Sequence, residues 1–344
     1  MSSLTLGLAV LGGLVLAAVV AHSTWTARRS APRQAQSLPP QAGDDPAQAR
    51  RTEPQFDAEI GKPAPVERRA GLDALIDGIA SISLDDENTL VSGEAAIAAL
   101  PPTRRAGSKP FAVEGLNSAT GLWEPPAAGQ RYSAFQAGVQ LANRVGALNE
   151  IEYSEFVMKT QGFADRVGGT PEFTEMLHEV ARARELDQFA SAHDAQLSFT
   201  LRAGNAAWSP GYVQQHAARL GFVPGMIPGR MVLPGYEPGS PPVLGLAFDT
   251  QAALADDPTQ SAIHTLTLSL DVPHVARPER PFVRMRETAI ALSASMDGVL
   301  CDDEGQRIAP EALDGIGADL EQLYDTLEAR DLAAGSGLAR RLFS

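Results

Sequence analysis

The chain has 344 residues, enough for about two globular domains, and its formal net charge at pH 7 is −14. Residues 26–70 hold more basic than acidic side chains, so the negative charge lies in residues 71–344. A body this acidic repels nucleic acid and anionic lipid headgroups, which excludes both as partners of the folded part. The single cysteine, Cys301, excludes an intrachain disulfide.

A largely apolar segment runs from Leu4 to Trp25. As a helix rising about 1.5 Å per residue it is roughly 33 Å long, which matches a hydrocarbon core of about 30 Å. Trp25 is placed as an interfacial aromatic residue, and Arg28 and Arg29 follow it, whereas no basic residue precedes the segment. The sequence therefore predicts a transmembrane helix over residues 1–25 in the inner (cytoplasmic) membrane, with a periplasmic N-terminus and cytoplasmic modules.

The apolar segment can also be interpreted as a cleaved signal peptide. Residues 1–21 end in Val-Val-Ala, an acceptable cleavage site, so the segment could be the signal peptide of an exported binding protein. A signal peptide carries its positive charges before the apolar core, and here they follow it, which favours the anchor.

Small residues recur at Ala9, Gly13 and Ala17, which predicts self-association by close helix packing. Ordinary membrane-helix composition also explains that stripe.

Residues 26–70 contain seven prolines and a single aromatic residue, Phe56. Such a segment cannot bury enough apolar surface to offset the entropy lost on ordering. We therefore predict a disordered Pro-rich linker, with an end-to-end distance of roughly 35–40 Å.

The second half of the chain shows the clearer periodicity. Residues 196–202 alternate, with Leu197, Phe199 and Leu201 on one face and polar side chains on the other, as in a strand with one buried side. The predicted strands are Gln196–Arg202, Arg230–Leu233, Val243–Phe248 and Thr265–Val272. The predicted helices run from Pro210 to Gly221, from Phe282 to Gly298 and from Pro310 to Leu327, and a hairpin is predicted over residues 299–308.

The first half repeats this pattern less clearly. Its predicted strands are Ala74–Leu84, Phe111–Val113 and Tyr132–Ala142, and its predicted helices are Tyr153–Val167 and Pro171–Phe189. The run from Phe156 to Gly168 echoes the run from Phe282 to Gly298, with the first helix one turn shorter. We predict an α+β fold of two-layer modules of split β-α-β type, each an antiparallel sheet with helices on one face. The modules are residues 71–190, a possible diverged duplicate, and 191–332, followed by a tail over 333–344.

No group of residues organises into a catalytic or metal site. The six histidines include no pair at metal-binding spacing, and no phosphate-binding glycine loop is present. Asp302-Asp303-Glu304 lacks the alternating ligands of a calcium loop and is expected to be a solvated turn. His193-Asp194 could form a base and its orienting partner, but adjacent strand residues face opposite ways. We predict a protein that is not an enzyme, with no catalytic residues, no metal and no cofactor.

Two short motifs resemble one family, that of the bacterial cell-division protein ZipA. His22-Ser23-Thr24-Trp25-Thr26-Ala27-Arg28 is similar to its membrane-exit segment, and Gly298-Val299-Leu300-Cys301-Asp302-Asp303, with Arg307 and Pro310, is similar to the turn before its last helix. The order of anchor, linker and C-terminal domain matches as well. The resemblance covers residues 1–70 and 190–332.

The resemblance implies a membrane tether at the division septum that binds the C-terminal tail of FtsZ on the outer sheet face of residues 191–332. Carried onto this chain, the face comprises Gln196, Ser198, Thr200, Gly245, Ala247, Thr265, Thr267 and Ser269. These side chains are small or polar where the family has bulky apolar ones, so the face could equally be a solvated sheet surface. A scaffold for a different septal or envelope partner is the alternative function.

Overall fold

A computed structural model describes residues 33–34, 71–86, 89–237, 239–255, 261–302 and 304–344. The predicted transmembrane helix lies outside these residues, as does the predicted linker apart from Arg33 and Gln34. Within the described residues, no helix is both long enough and apolar enough to cross a bilayer. The chain divides into two compact units. We call Pro65–Ala195, Val272–Arg277 and Leu320–Ser344 the first unit, and Gln196–Asp271 with Pro278–Asp319 the second unit.

The first unit is built on an antiparallel sheet with the strand order β3-β4-β6-β1-β9, to which β2 and β5 add as short pairs. Its strands are β1 (Asp77–Leu84), β2 (Val91–Ser92), β3 (Arg105–Ala106), β4 (Lys109–Asn117), β5 (Trp123–Glu124), β6 (Arg131–Gln140), β7 (Ala142–Asn143), β8 (Gly146–Ala147) and β9 (Gly169–Glu172). Its helices before the second unit are α1 (Gly93–Ala99), α2 (Glu150–Val167) and α3 (Met176–His193).

The second unit contains an antiparallel sheet with the order β11-β12-β13-β14-β10-β15. Its strands are β10 (Gln196–Ala203), β11 (Val223–Pro224), β12 (Arg230–Leu233), β13 (Leu244–Phe248), β14 (Thr265–Asp271) and β15 (Gly298–Cys301). The helices are α4 (Pro210–Arg219), α5 (Thr250–Ala253), α6 (Pro281–Met296) and α7 (Pro310–Glu328), whose last turns belong to the first unit, as does α8 (Gly337–Leu342). The two antiparallel sheets with their helices confirm the α+β class.

The core of the second unit follows from the period-two pattern of its strands. Leu266, Leu268 and Leu270 of β14 are buried, while the residues between them are exposed or half-buried. The buried side receives α6, and the ring of Phe282 lies 6.5 Å from the ring of Phe199 on β10. From Phe282, the buried residues Met285, Ala289, Leu292 and Met296 of α6 keep the predicted spacing of three and four, and Pro281 and Thr288 are buried beside them.

The two units share one topology. In the first unit, β1 lies between the long strand β6 and the short strand β9, which follows the long helix α2. In the second unit, β10 lies in the same way between β14 and β15, which follows α6. The four-strand orders are β4-β6-β1-β9 and β13-β14-β10-β15. In each, a short bridge precedes a helix capped by a serine. Ser92 accepts the N–H of Ala95, and Ser209 accepts the N–H of Tyr212. The repeated strand order and the repeated caps support an internal duplication, which stays a prediction.

The long helices of the two units are of similar length, so the prediction that the first is one turn shorter is wrong. Helix α2 has 18 residues and α6 has 16. Each is followed by a left-handed residue, Gly168 with φ 68° and Asp297 with φ 55°. Aligning these two residues places Tyr153 at the position of Phe282. The sequence comparison had aligned Phe156 there because both helices carry aromatic residues near their starts.

Two further expectations are corrected. The helix predicted from Pro171 begins at Met176, since residues 169–172 pair with β1 as strand β9. The segment predicted as a tail, residues 333–344, contains α8 and lies in the first unit, where Leu342 and Phe343 are buried. Both segments are short, and short segments carry too few residues for a periodicity to show.

Arg33, from the predicted linker, contacts the second unit. Its backbone forms a parallel bridge with Trp208, with its N–H donating to the carbonyl of Ala207 at 2.6 Å. Its guanidinium donates to the Asp297 carboxylate at 2.7 Å. The left-handed Asp297 therefore also serves as the acceptor for a residue far away in the sequence.

We expect Leu268→Ala to lower the free energy of unfolding by about 2–5 kcal/mol, because it leaves a cavity under α6. Thr265→Ala, on the exposed side of the same strand, should change it by less than about 0.5 kcal/mol. Urea denaturation followed by circular dichroism measures both values. Equal effects of the two substitutions would contradict the assignment of the buried face.

Candidate protein-binding face

The structure brings the eight residues of the predicted binding face together on the outer side of the second unit's sheet. Thr200 lies opposite Thr267, and Ser198 lies opposite Ser269. Strand β13 continues the two rows, with Ala247 beside Thr267 and Gly245 beside Ser269. The other two residues lie at the ends, Gln196 opposite Asp271 and Thr265 opposite Arg202. We call this surface the outer face of the second unit.

The centre of this face is low because its side chains are small. A β-carbon added to Gly245 would lie 2.7 Å from the hydroxyl oxygen of Ser269, so a larger residue does not fit without movement of that serine. The Ser269 hydroxyl donates to the carbonyl of Gly245 at 3.4 Å. The hydroxyls of Ser198, Thr200 and Thr267 add donors and acceptors along the same surface. The face is therefore a shallow, hydroxyl-lined platform.

Two valines that the sequence analysis did not assign to the face extend it at one edge. Val232 of β12 lies opposite Gly245, and Val223 of β11 lies opposite Val232. Val223 is 45% exposed, and the hairpin tip that joins the two strands exposes Met226 and Ile227. This gives one row of the face an apolar end. The signal in the sequence was the Pro-Gly turn between the valines, which is typical of a hairpin.

The charged side chains around the face are unevenly placed. Arg202 lies beside Thr265, and Arg230 lies beside Ala247; both are exposed. Asp271 lies at the opposite end of β14, beside Gln196. An extended ligand along β14 would therefore meet positive charge at one end and negative charge at the other.

The residues considered for other chemistry are engaged elsewhere. The Asp194 carboxylate binds Arg144 through two hydrogen bonds of 2.8 and 2.6 Å, and the His193 ring stacks on Phe189. Asp302 accepts the backbone N–H groups of Glu304 and Gln306, as expected of a turn. Within the described residues, no group of three His, Cys, Asp or Glu side chains is arranged to hold a metal ion.

Comparison with known families assigns part of the second unit. Residues 254–318 match the family model described as ZipA, C-terminal FtsZ-binding domain. The resemblance to the ZipA family is thereby confirmed. The match includes one of the two motifs on which the resemblance rested, the Gly298–Asp303 turn with Arg307 and Pro310; the other, His22–Arg28, lies outside it. No curated protein matches the chain.

The ZipA-type segment contains the strand at the centre of the outer face. It spans β14, α6, β15 and the start of α7, and it includes Thr265, Thr267 and Ser269. The face residues on β10 and β13 lie before the matched segment but pair with β14 on both sides. The ZipA-like part of the chain therefore supplies the middle strand of the platform.

The close approach of Gly245 to Ser269 can be tested by a double-mutant cycle. Gly245→Ala should destabilise the protein in the natural background, because the new methyl group meets the Ser269 hydroxyl, and should do so less in a Ser269→Ala background. We expect a coupling energy of about 0.5 kcal/mol or more from urea denaturation. Additive effects would show that the two residues are not neighbours.

Proposed function

We propose that this protein binds the C-terminal tail of FtsZ through the outer face of the second unit and tethers FtsZ filaments to the cytoplasmic membrane at the septum. The observation that carries the proposal is the family match over β14, since this strand forms the middle of the face. The ZipA family is a non-enzymatic scaffold, which supports a binding role rather than a catalytic one.

The shape and chemistry of the face suit an extended peptide. A flat row of small side chains lets a peptide backbone approach, and the hydroxyls of Ser198, Thr200 and Thr267 supply hydrogen bonds to it. The apolar end at Val223 and Val232 can bury one or two aliphatic side chains of the peptide. The polar centre of the face would thus orient the peptide by hydrogen bonds, and the apolar edge would add affinity by burying its aliphatic side chains.

We expect each tail to bind weakly, because most of the face is polar and buries little apolar surface. Weak single-site binding is compatible with tethering. A filament presents many tails, and linked binding can raise the overall affinity by about 10²–10⁴. Many copies of this protein anchored in one membrane would supply a binding face for each of these tails.

The membrane part of the proposal rests on the first 33 residues. An apolar segment followed by Trp25, Arg28 and Arg29 favours a single-pass anchor with the units on the cytoplasmic side. The stripe of Ala9, Gly13 and Ala17 offers a surface for self-association within the membrane. A scaffold for a different septal or envelope partner is the second candidate, favoured by the polar character of the face.

Titration of the FtsZ tail peptide into the full chain in detergent tests the binding site. We expect Thr200→Arg combined with Thr267→Arg to weaken binding by about tenfold or more, because two long charged side chains would then cover the middle of the platform. Ser295→Arg, at an exposed position of α6, is the matched control and should bind as the unsubstituted chain does.

Calorimetry gives the dissociation constants. If the unsubstituted chain, the double variant and the control bind with equal affinity, the binding site does not lie on this face. No binding at several hundred micromolar by the unsubstituted chain would count against FtsZ as the partner and favour the second candidate.

The membrane topology has its own test. Protease added to intact spheroplasts should leave residues 71–344 undigested, because the arginines after the apolar segment hold this part on the cytoplasmic side. Lysed spheroplasts are the control in which digestion is expected. Digestion in intact spheroplasts, or a mature N-terminus at His22, would instead establish the exported protein.

A further inference from the structure

The first unit has its own counterpart of the outer face of the second unit. The pairs Leu84–Gly169 and Ala203–Gly298 occupy the same place in the two sheets, so the strands can be aligned residue by residue. The alignment matches Ser81 with Thr200, Gln136 with Thr267, Gly138 with Ser269, Ala112 with Gly245 and Glu114 with Ala247. We call these residues, together with Asp77 and Gln140, the outer face of the first unit.

The two faces differ in exposure. Gly138 is buried, whereas its counterpart Ser269 is exposed. Asp77 and Gln140 are each 1% exposed, although both are polar residues on the side of the sheet away from α2. Their counterparts in the second unit are exposed or half-buried. Glu114 is buried as well, whereas Ser81 and Ala112 remain exposed. Something in the first unit therefore covers the part of this surface around Asp77, Gln140 and Gly138, which the second unit leaves accessible.

The cover on Gly138 is the side chain of Leu72. A β-carbon added to Gly138 would lie 2.4 Å from Cδ2 of Leu72, so only glycine leaves room for the leucine in this position. The backbone N–H of Leu72 donates to Oε1 of Glu114 at 3.1 Å. The other oxygen of Glu114 accepts from the side chain of Gln136 at 2.8 Å. A leucine side chain and its backbone are thus both bound by the outer face, as a peptide ligand would be.

The segment is held on its other side by the C-terminal part of the chain. The guanidinium of Arg341 donates to the carbonyl of Gly71 at 3.0 Å and to the carboxylate of Asp77 at 2.5 Å. The side chain of Gln140 donates to the carbonyl of Arg341 at 2.7 Å. Asp73 closes the turn, because its N–H donates to the Asp77 carboxylate at 2.9 Å. Burial raises the pKa of the Asp77 carboxyl, and the adjacent Arg341 guanidinium opposes that rise.

We propose that residues 71–73, locked by Arg341, are an intramolecular ligand that occupies the outer face of the first unit around Gly138 and so excludes partner peptides from it. If this segment excludes peptides from the first unit, one chain offers a single face for the FtsZ tail, the outer face of the second unit. This count of binding sites rests on the proposed function. The closure itself does not depend on FtsZ, because every contact that makes it lies within the first unit.

Hydrogen exchange on the full chain tests the closure without any partner. Residues 71–76 should be protected in the unsubstituted protein, because the Leu72 N–H is bonded to Glu114. Gly138→Leu fills the position taken by Leu72 and should accelerate exchange in this segment by about tenfold or more. Ser269→Leu, at the equivalent position of the second unit, is the matched control and should leave that exchange unchanged.

A second variant keeps the test independent of how well Gly138→Leu folds. Leu72→Asp leaves the sheet untouched and should produce the same loss of protection by removing the apolar contact. Exchange as fast in the unsubstituted chain as in these variants would overturn the closure.

The partner count is tested with the FtsZ tail peptide. Calorimetry should give one peptide per unsubstituted chain and two for Leu72→Asp combined with Arg341→Ala. Two peptides in the unsubstituted chain, or one in the opened variant, would overturn the idea that this segment excludes a ligand. Absence of binding in every variant would reject the proposed function, while the exchange experiment would still decide the closure.

Discussion

The antiparallel ladder between β10 and β14 is the interaction on which the second unit depends. Seven residue pairs from Gln196–Asp271 to Arg202–Thr265 lie in one register. Because successive side chains of a strand point to opposite sides, this register alone places Leu266, Leu268 and Leu270 in the core and the serines and threonines outside. A slip by one residue would exchange core and surface along the whole strand. The polar outer face and the hydrophobic core are thus two results of the same pairing.

The two units show how one topology can carry two different surfaces. Both sheets use the same strand order, serine caps and left-handed residue after the long helix. The outer face of the second unit has Ser269 at a position where the first unit has Gly138, and the lack of a side chain at Gly138 leaves room for Leu72 on the sheet.

The sequence predicted the second unit more closely than the first, and the reason is physical. Strand Gln196–Ala203 was expected over Gln196–Arg202, because a sheet buried on one side alternates apolar and polar residues that can be counted. Strand β9 and helix α8 are too short to show a period, so their assignments were wrong. The contact of Leu72 with Gly138 and the salt bridge from Arg341 to Asp77 join residues far apart in the chain. A local sequence pattern does not predict such contacts. The eight residues of the predicted face were carried over from the family resemblance, and they lie on one side because they share strands with the core. That they bind a partner stays a prediction. The valines at their edge were missed because β11 has only two residues.

The contact of Arg33 with Trp208 and Asp297 bears on the distance between the second unit and the bilayer. If the chain leaves the membrane at Trp25, only eight residues separate that point from Arg33, and a fully extended chain of this length reaches at most about 29 Å. If the protein is anchored as proposed, the Arg33 contact would hold the outer face of the second unit within that distance of the lipid surface, and filaments bound there would run close to the membrane.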